Sequence, residues 1–270
     1  MKFAFMSFST PDKTLDEILE LARAYGYDGI EPRLDARHKH GIEVAASAAE
    51  RAALRKTAEQ SGIVLACLAT SLKFADPATT EETVDAALER IDLAYDMGIP
   101  ALRVFGGKLP EGLDRRDAVK TAGEALLRVA DYAAEREVTL CFETHDDWCN
   151  PADVAAVMEY ADHKAVAVNW DIMHPVRRAG ATIDQSFEIL KPWIRHLHVH
   201  DGVTNEKGGA QLMPIGEGII DHRRALECLA TIDYKGYISG EWISWSDAYD
   251  VHLPRELKTL RGYLESQQAG

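Results

Sequence analysis

Eight times along its 270 residues the chain passes from a short β-rich run to a longer amphipathic one, and nothing interrupts the alternation. The strand-like runs lie at 2–7, 29–31, 64–69, 101–105, 139–143, 165–170, 194–200 and 237–241. Helical patterns occupy 14–25, 46–61, 81–97, 115–135, 151–160, 182–190, 221–230 and 254–265. Strands joined through helices pair in parallel and need both faces covered. Eight such units without a linker predict an α/β fold closed into a (β/α)8 TIM barrel, a single domain over 1–270. The competing arrangement is an open doubly wound sheet, which often places a glycine-rich phosphate turn after its first strand. Here that turn reads Ser7-Phe8-Ser9-Thr10-Pro11, without glycine, and the barrel is favoured.

Local signals agree with the periodicity. Thr14-Leu-Asp-Glu17 has the spacing of a capping box, in which side chains at both ends satisfy backbone N–H groups of the first turn. Gly26, Gly62 and Gly98 each stand between a helical pattern and the next strand, where glycine ends helices most easily.

Charge narrows the partners. A net charge of −14 repels phosphate polymers and anionic lipid, and no basic tract offsets it, so neither nucleic acid nor membrane is an expected partner. The apolar start of the chain is too short for a signal segment and reads as a first strand; no run approaches the length of a membrane span. Cys67, Cys141, Cys149 and Cys228 lack CxxC spacing, which predicts free thiols in a reducing, cytoplasmic setting.

Four strand ends in the second half carry the chemistry: CFETHDD (141–147), VNWDIMHP (168–175), HLHVHDG (196–202) and YISGEW (237–242). Each is an apolar run closing on a carboxylate or an imidazole. Taken singly, such an acid is usually a solvated loop residue or a cap, and His198 alone reads as a core histidine. On four consecutive barrel strands, Glu143, Asp171, His198 and Glu241 converge on the C-terminal face and predict one divalent metal site. Three carboxylates and one imidazole suit Mn2+ first, with Mg2+, Co2+ or Zn2+ as alternatives. The expected chemistry is proton abstraction next to a metal-bound carbonyl through a cis-enediolate, with Glu143 and Glu241 as the catalytic proton-transfer pair.

The first half offers further candidates for substrate binding. Glu31 and Arg33 end the second strand, and Arg33 would clamp a carboxylate or phosphate. Arg103 lies within the fourth strand, and the glycines that follow lead to Lys108, which would neutralise an anion. His38 and His40 lie in a polar loop, as lid residues or merely solvated ones. Trp148, Trp170, Trp242 and Trp245 are equally compatible with an apolar pocket wall and with core packing.

Glu-x-His on strand five, Asp-x-x-His on strand six, His-x-His-x-His-Asp-Gly on strand seven and Ser-Gly-Glu-Trp on strand eight resemble the sugar phosphate isomerase/epimerase family. That family lies within the xylose isomerase-like, endonuclease IV-like TIM barrels. Gly216-Glu217-Gly218 followed by Asp221 looks like its G-x-G-x-(I/V)-D turn. The resemblance covers essentially the whole chain and implies metal ligands at Glu143, Asp171, His198 and Glu241. It also implies that His145 and His174 touch substrate hydroxyls, or an additional zinc as in the nuclease branch. His200 stands where relatives often have lysine and is expected to reach substrate or pack at the rim. Relatives are often dimers or tetramers, which makes a homo-oligomer the expectation.

The reading favoured by these residues is an isomerase or epimerase of a small carbohydrate: a keto-sugar, or a related polyol ketone or acid. A lyase or dehydratase of the dehydroshikimate type would use the same ligands. Less favoured are an abasic-site endonuclease, which would need more zinc ligands after His198 than Gln211 and Met213 offer, and a non-catalytic sugar-binding protein.

Overall fold

Nine strands are too short to bury their own backbones singly, and they do so by pairing in parallel around a ring. In chain order the computed structural model, which describes residues 1–206 and 208–268, has β1 (Lys2–Met6), α1 (Leu15–Tyr25), β2 (Gly29–Glu31), α2 (Ala48–Ser61), β3 (Val64–Leu65), β4 (Leu68–Lys73), α3 (Thr80–Met97), β5 (Ala101–Phe105) and α4 (Arg115–Glu135). Then come β6 (Thr139–Glu143), α5 (Pro151–Ala161), β7 (Val166–Asp171), α6 (Met173–Ala179), α7 (Ile183–Leu190) and β8 (Ile194–Val199). The remainder is β9 (Asp201–Thr204), β10 (Ala210–Met213), α8 (His222–Thr231), β11 (Tyr237–Gly240) and α9 (Tyr249–Gln268).

The sheet runs β3-β2-β1-β11-β8-β7-β6-β5-β4, all parallel. Its two ends are halves of one barrel strand, since β3 and β4 follow each other across Ala66 and Cys67. Beside that break Ala66 N–H donates to Ile30 O, Ala69 N–H to Pro32 O, and Leu34 N–H to Ala69 O. An isolated parallel bridge between Arg33 and Ala69 completes the ring. The predicted (β/α)8 barrel is the observed fold.

The helices begin and end as their sequences direct. Thr14 and Glu17 form the expected reciprocal capping box, and Gly26 closes α1 with a left-handed φ of 88°. Ser47 and Thr182 make similar boxes at α2 and α7. Departures from the predicted elements have local causes. The third strand continues to Lys73 because the irregular Ala69–Lys73 stretch still pairs with β5. The last helix starts at Tyr249, five residues before Pro254, because a proline inside the second turn forfeits only one bond near an exposed helix start. Two elements were not expected at all: the short α6, and the β9–β10 hairpin that follows β8 directly.

Along the lumen the side chains change from apolar to charged. Cys67, Ala101, Cys141 and Ala167 form a small apolar cluster. Two residues further along their strands, Arg103, Glu143 and Asn169 point the same way, because strand side chains alternate. All three are buried. The four cysteines are free and buried. Among the described residues no helix is long and apolar enough to cross a membrane.

Candidate metal centre

Strand ends bring the four expected ligands together. Glu143 closes β6, Asp171 closes β7, His198 lies one residue from the end of β8, and Glu241 follows β11. One ligand atom from each lies within 4.8 Å of the others, and all four residues are buried. Gly240 helps to place Glu241, since any Cβ there would run into the Trp242 indole. His198 Nδ1 approaches Glu143 Oε1 at 3.0 Å and Glu241 Oε2 at 3.5 Å. Burial disfavours the imidazolium, but Glu31, Glu143 and Glu241 outweigh it and hold the His198 pKa well above its ordinary value.

The cluster has the chemistry of a cation site. Glu143 Oε2 and Asp171 Oδ2 are buried without a hydrogen-bond partner. Such acceptors are costly unless something positive faces them. Nearby positive groups come close without satisfying them. Arg103 Nε is 3.3 Å from Glu143 Oε2, and His200 Nε2 is 2.9 Å from Asp171 Oδ2, yet neither pair is aligned as a hydrogen bond. A cation among the oxygens would satisfy all of them without needing a donor angle.

The sequence marks Arg103 only as a first-half candidate on the fourth strand, without a role beside the four ligands. It is a fully buried arginine in the middle of an apolar strand, and that is the signal: such a charge must have partners. Its Nη1 donates to Thr70 O at 2.9 Å, Nη2 lies 4.0 Å from Glu241 Oε1, and its guanidinium packs over Phe105. Burial pushes the Glu241 carboxyl up, but His198 and Arg103 prevail and bring it down to about 2. For Asp171 burial is likewise overcome, chiefly by His200 and His174, and its carboxyl stays well below the usual range.

Three histidines flank the cluster on its Asp171 side. His174 and His200 share Asp171, and the His174 ring lies edge-on to both His145 and His200. Burial lowers the His174 pKa to about 4. For His145 burial is outweighed by the Asp146 carboxylate, 3.1 Å from its Nδ1, and by the Glu143 and Glu241 charges, which raise it to about 9. His200 sits on Asp171 with its Nδ1 3.1 Å from Glu241 O. The position that often carries lysine in relatives is therefore a buried imidazole here.

Other expected residues fall elsewhere. Glu31 lies on the Nε2 side of His198, across the ring from Glu143 and Glu241, and pairs with His196 and His198. Arg33 is partly buried beside the site, and its guanidinium is committed to Leu34 O, Ala69 O and Ser71. Burial, then the nearby Arg103 charge, lowers its pKa to about 10. Lys108 is exposed in the loop after β5, and among the described contacts it makes none with the cluster. His40 is no lid residue: it is buried, with Nε2 on Arg33 O and Nδ1 accepting from Ile42 N–H. Trp148, Trp170 and Trp242 belong to the hydrophobic core. His196, Asn169 and Asp201 were passed over. The first two meet Glu31 and His198, and Asp201 accepts from the backbone N–H of Gly202, Gly216, Gly218 and Ile220.

Comparison with known proteins decides the family. The model of the xylose isomerase-like TIM barrel matches residues 19–265. The chain belongs to that family. Among proteins similar to it, the L-ribulose-5-phosphate 3-epimerase UlaE of Escherichia coli K12 is 23% identical, across 94% of this chain and 89% of that protein. The 3-dehydroshikimate dehydratase of Bacillus anthracis is 21% identical, across 96% of each. A xylose isomerase-like TIM barrel protein of Mycobacterium smegmatis, solved in complex with magnesium, superposes with a TM-score of 0.76 at 18% identity, covering 98% of this chain and 97% of that one.

Proposed function

We propose that this member of the xylose isomerase-like TIM barrels is a divalent-metal-dependent isomerase or epimerase of a small keto-sugar or related polyhydroxy ketone or acid. The observation that carries the proposal is the convergence of Glu143, Asp171, His198 and Glu241, with oxygens of Glu143 and Asp171 left unpartnered. Three carboxylates and one imidazole favour Mn2+, with Mg2+, Co2+ or Zn2+ as alternatives; the Mycobacterium smegmatis relative holds magnesium. When bound, such an ion supplies Lewis-acid polarisation of a carbonyl and offsets the negative charge that deprotonation creates beside it.

The protein's own groups would do the rest. Glu143 and Glu241 approach His198 from different strands, so one takes a proton from the substrate carbon and the other returns one. Arg103 places a positive charge beside both carboxylates. His145, protonated at neutral pH, would donate to a substrate oxygen, while neutral His174 accepts from a hydroxyl.

A dehydratase is the second reading, favoured by the end-to-end match to the 3-dehydroshikimate dehydratase. It shares the first proton abstraction and then expels a β-hydroxyl. Incubating metal-loaded protein with keto-sugars and dehydroshikimate-type acids in D2O separates the two. Deuterium at the carbon beside the carbonyl with the hydroxyl count retained supports isomerisation; loss of water supports the second reading. Glu143→Gln and Glu241→Gln should each lower exchange by about 10²–10⁴-fold. Full exchange in both variants would overturn the mechanism.

A further inference from the structure

Below the metal centre, β8 carries a column of imidazoles. His196 and His198 are two residues apart and so face the lumen together, one layer above the other. Between them and the opposite wall of the barrel stands Glu31, fully buried at the end of β2. Its Oε2 is 2.8 Å from His196 Nε2, and its two oxygens are 3.0 and 3.1 Å from His198 Nε2. One carboxylate thus accepts from two rings. Nothing about an isolated glutamate at this depth is favourable, because a buried anion without partners costs several kcal/mol.

We infer that Glu31 is the positioning residue of the metal centre. It holds the Nε2–H tautomer of His198 so that the Nδ1 lone pair faces Glu143 and Glu241, and His196 anchors Glu31 in turn. This rests on the metal reading proposed above. A ligating imidazole commonly donates its other N–H to a carboxylate, which fixes the ring and raises its basicity. Here that geometry is complete. His198 Nε2 meets Glu31, while Nδ1 lies 3.0 Å from Glu143 Oε1, 3.5 Å from Glu241 Oε2 and 3.1 Å from Asn169 Nδ2. With Nε2 supplying the proton to Glu31, the lone pair at Nδ1 points at the two carboxylates that need a cation. Glu31 therefore serves from behind the site and makes no contact with substrate, and His196 has a reason to be an imidazole although it reaches no ligand.

The test uses the full chain, stripped with a chelator and titrated with Mn2+ by calorimetry and by the EPR signal of free Mn2+. Glu31→Gln keeps the volume but weakens the acceptor, and should raise the Mn2+ dissociation constant about 10–100-fold. His196→Gln, which leaves His198 its partner and removes only the anchor, should produce a smaller rise of the same sign. Dissociation constants within twofold of wild type for both variants would overturn the inference while leaving the metal centre intact. Wild-type protein that binds no divalent ion would overturn the metal reading and the inference with it. Should Glu31→Gln fail to fold, the wild type loaded with Zn2+ still decides: ¹⁵N-resolved imidazole spectra must show His198 protonated at Nε2 and not at Nδ1. A proton on Nδ1 in the loaded protein refutes the role of Glu31.

Discussion

Replacing Arg103 by methionine removes a charge from beneath the metal centre while nearly preserving the volume of the side-chain stem. The guanidinium is the fixed positive charge beside Glu143 and Glu241, at 3.3 Å and 4.0 Å. Its loss also deprives Thr70 O of a donor. Breaking a buried pair by deleting one partner typically costs about 3–5 kcal/mol, because the remaining charge stays buried. For a chain of this length the entropy of unfolding is about 0.6 kcal/mol per kelvin, so each kcal/mol moves Tm by about 2 °C. Arg103→Met should therefore lower Tm by about 6–10 °C in chelator. With saturating Mn2+ the carboxylates regain a counter-charge and the loss should shrink. If it shrinks by about 2 kcal/mol, the thermodynamic cycle requires Mn2+ to bind about 30-fold tighter to the variant than to wild type. Scanning calorimetry with and without metal, paired with Mn2+ titration, measures every side of that cycle. An unchanged Tm in chelator, or equal losses with and without metal, would refute the argument. The sign is diagnostic: removing Arg103 tightens the metal, whereas weakening Glu31 loosens it.

Acid should weaken the fold through His40. Burial, only partly offset by the bond to Arg33 O, lowers its pKa from 6.5 to about 4. Between those values the unfolded chain binds the proton and the native protein does not, so stability is fully present above pH 6.5 and falls by about 3 kcal/mol as pH drops to 4. His40→Gln should lose less stability than wild type between pH 7 and 4.5 in urea denaturation; identical pH slopes would sink this assignment. Asp201→Ala strands four backbone N–H groups of Gly202, Gly216, Gly218 and Ile220, at 2.8–3.1 Å in the native protein. Faster hydrogen exchange over residues 214–221 is the expected result, and unchanged protection there would show that the carboxylate does not hold this loop.

The barrel was legible because its signals are local and repeat. Capping at Thr14 and the glycine after α1 depend on a few neighbouring residues, and eight repetitions leave little freedom for topology. The convergence of Glu143, Asp171, His198 and Glu241 was legible for the same reason: strand ends in a closed barrel share one face, so position along a strand is already position in space. What escaped were relations across the barrel. Glu31 and His196 are 165 residues apart, and no spacing rule links them. Short elements after a ligand strand escaped as well. In α6 the backbone N–H groups of Met173 and His174 are turned onto Asp171 Oδ1, so one carboxylate serves as both cap and site residue.

The division of labour around His198 explains why a barrel with a net charge of −14 can keep this many acids in its lumen. Glu31, Glu143, Asp171 and Glu241 are all buried, and the buried Arg103 lies among them. Four like charges in such a space are unstable unless imidazolium or a cation intervenes. That role falls to His198 and His200, whose pKa values are raised by these carboxylates against the effect of burial. A divalent ion would relieve His198 of that task and free Nδ1 as a ligand. Glu31 has the opposite requirement, since it needs the Nε2 proton in either state. The two ring nitrogens of His198 are therefore not interchangeable, and a histidine between two sets of carboxylates is the residue through which β2 would act on an ion bound at the ends of β6, β7, β8 and β11.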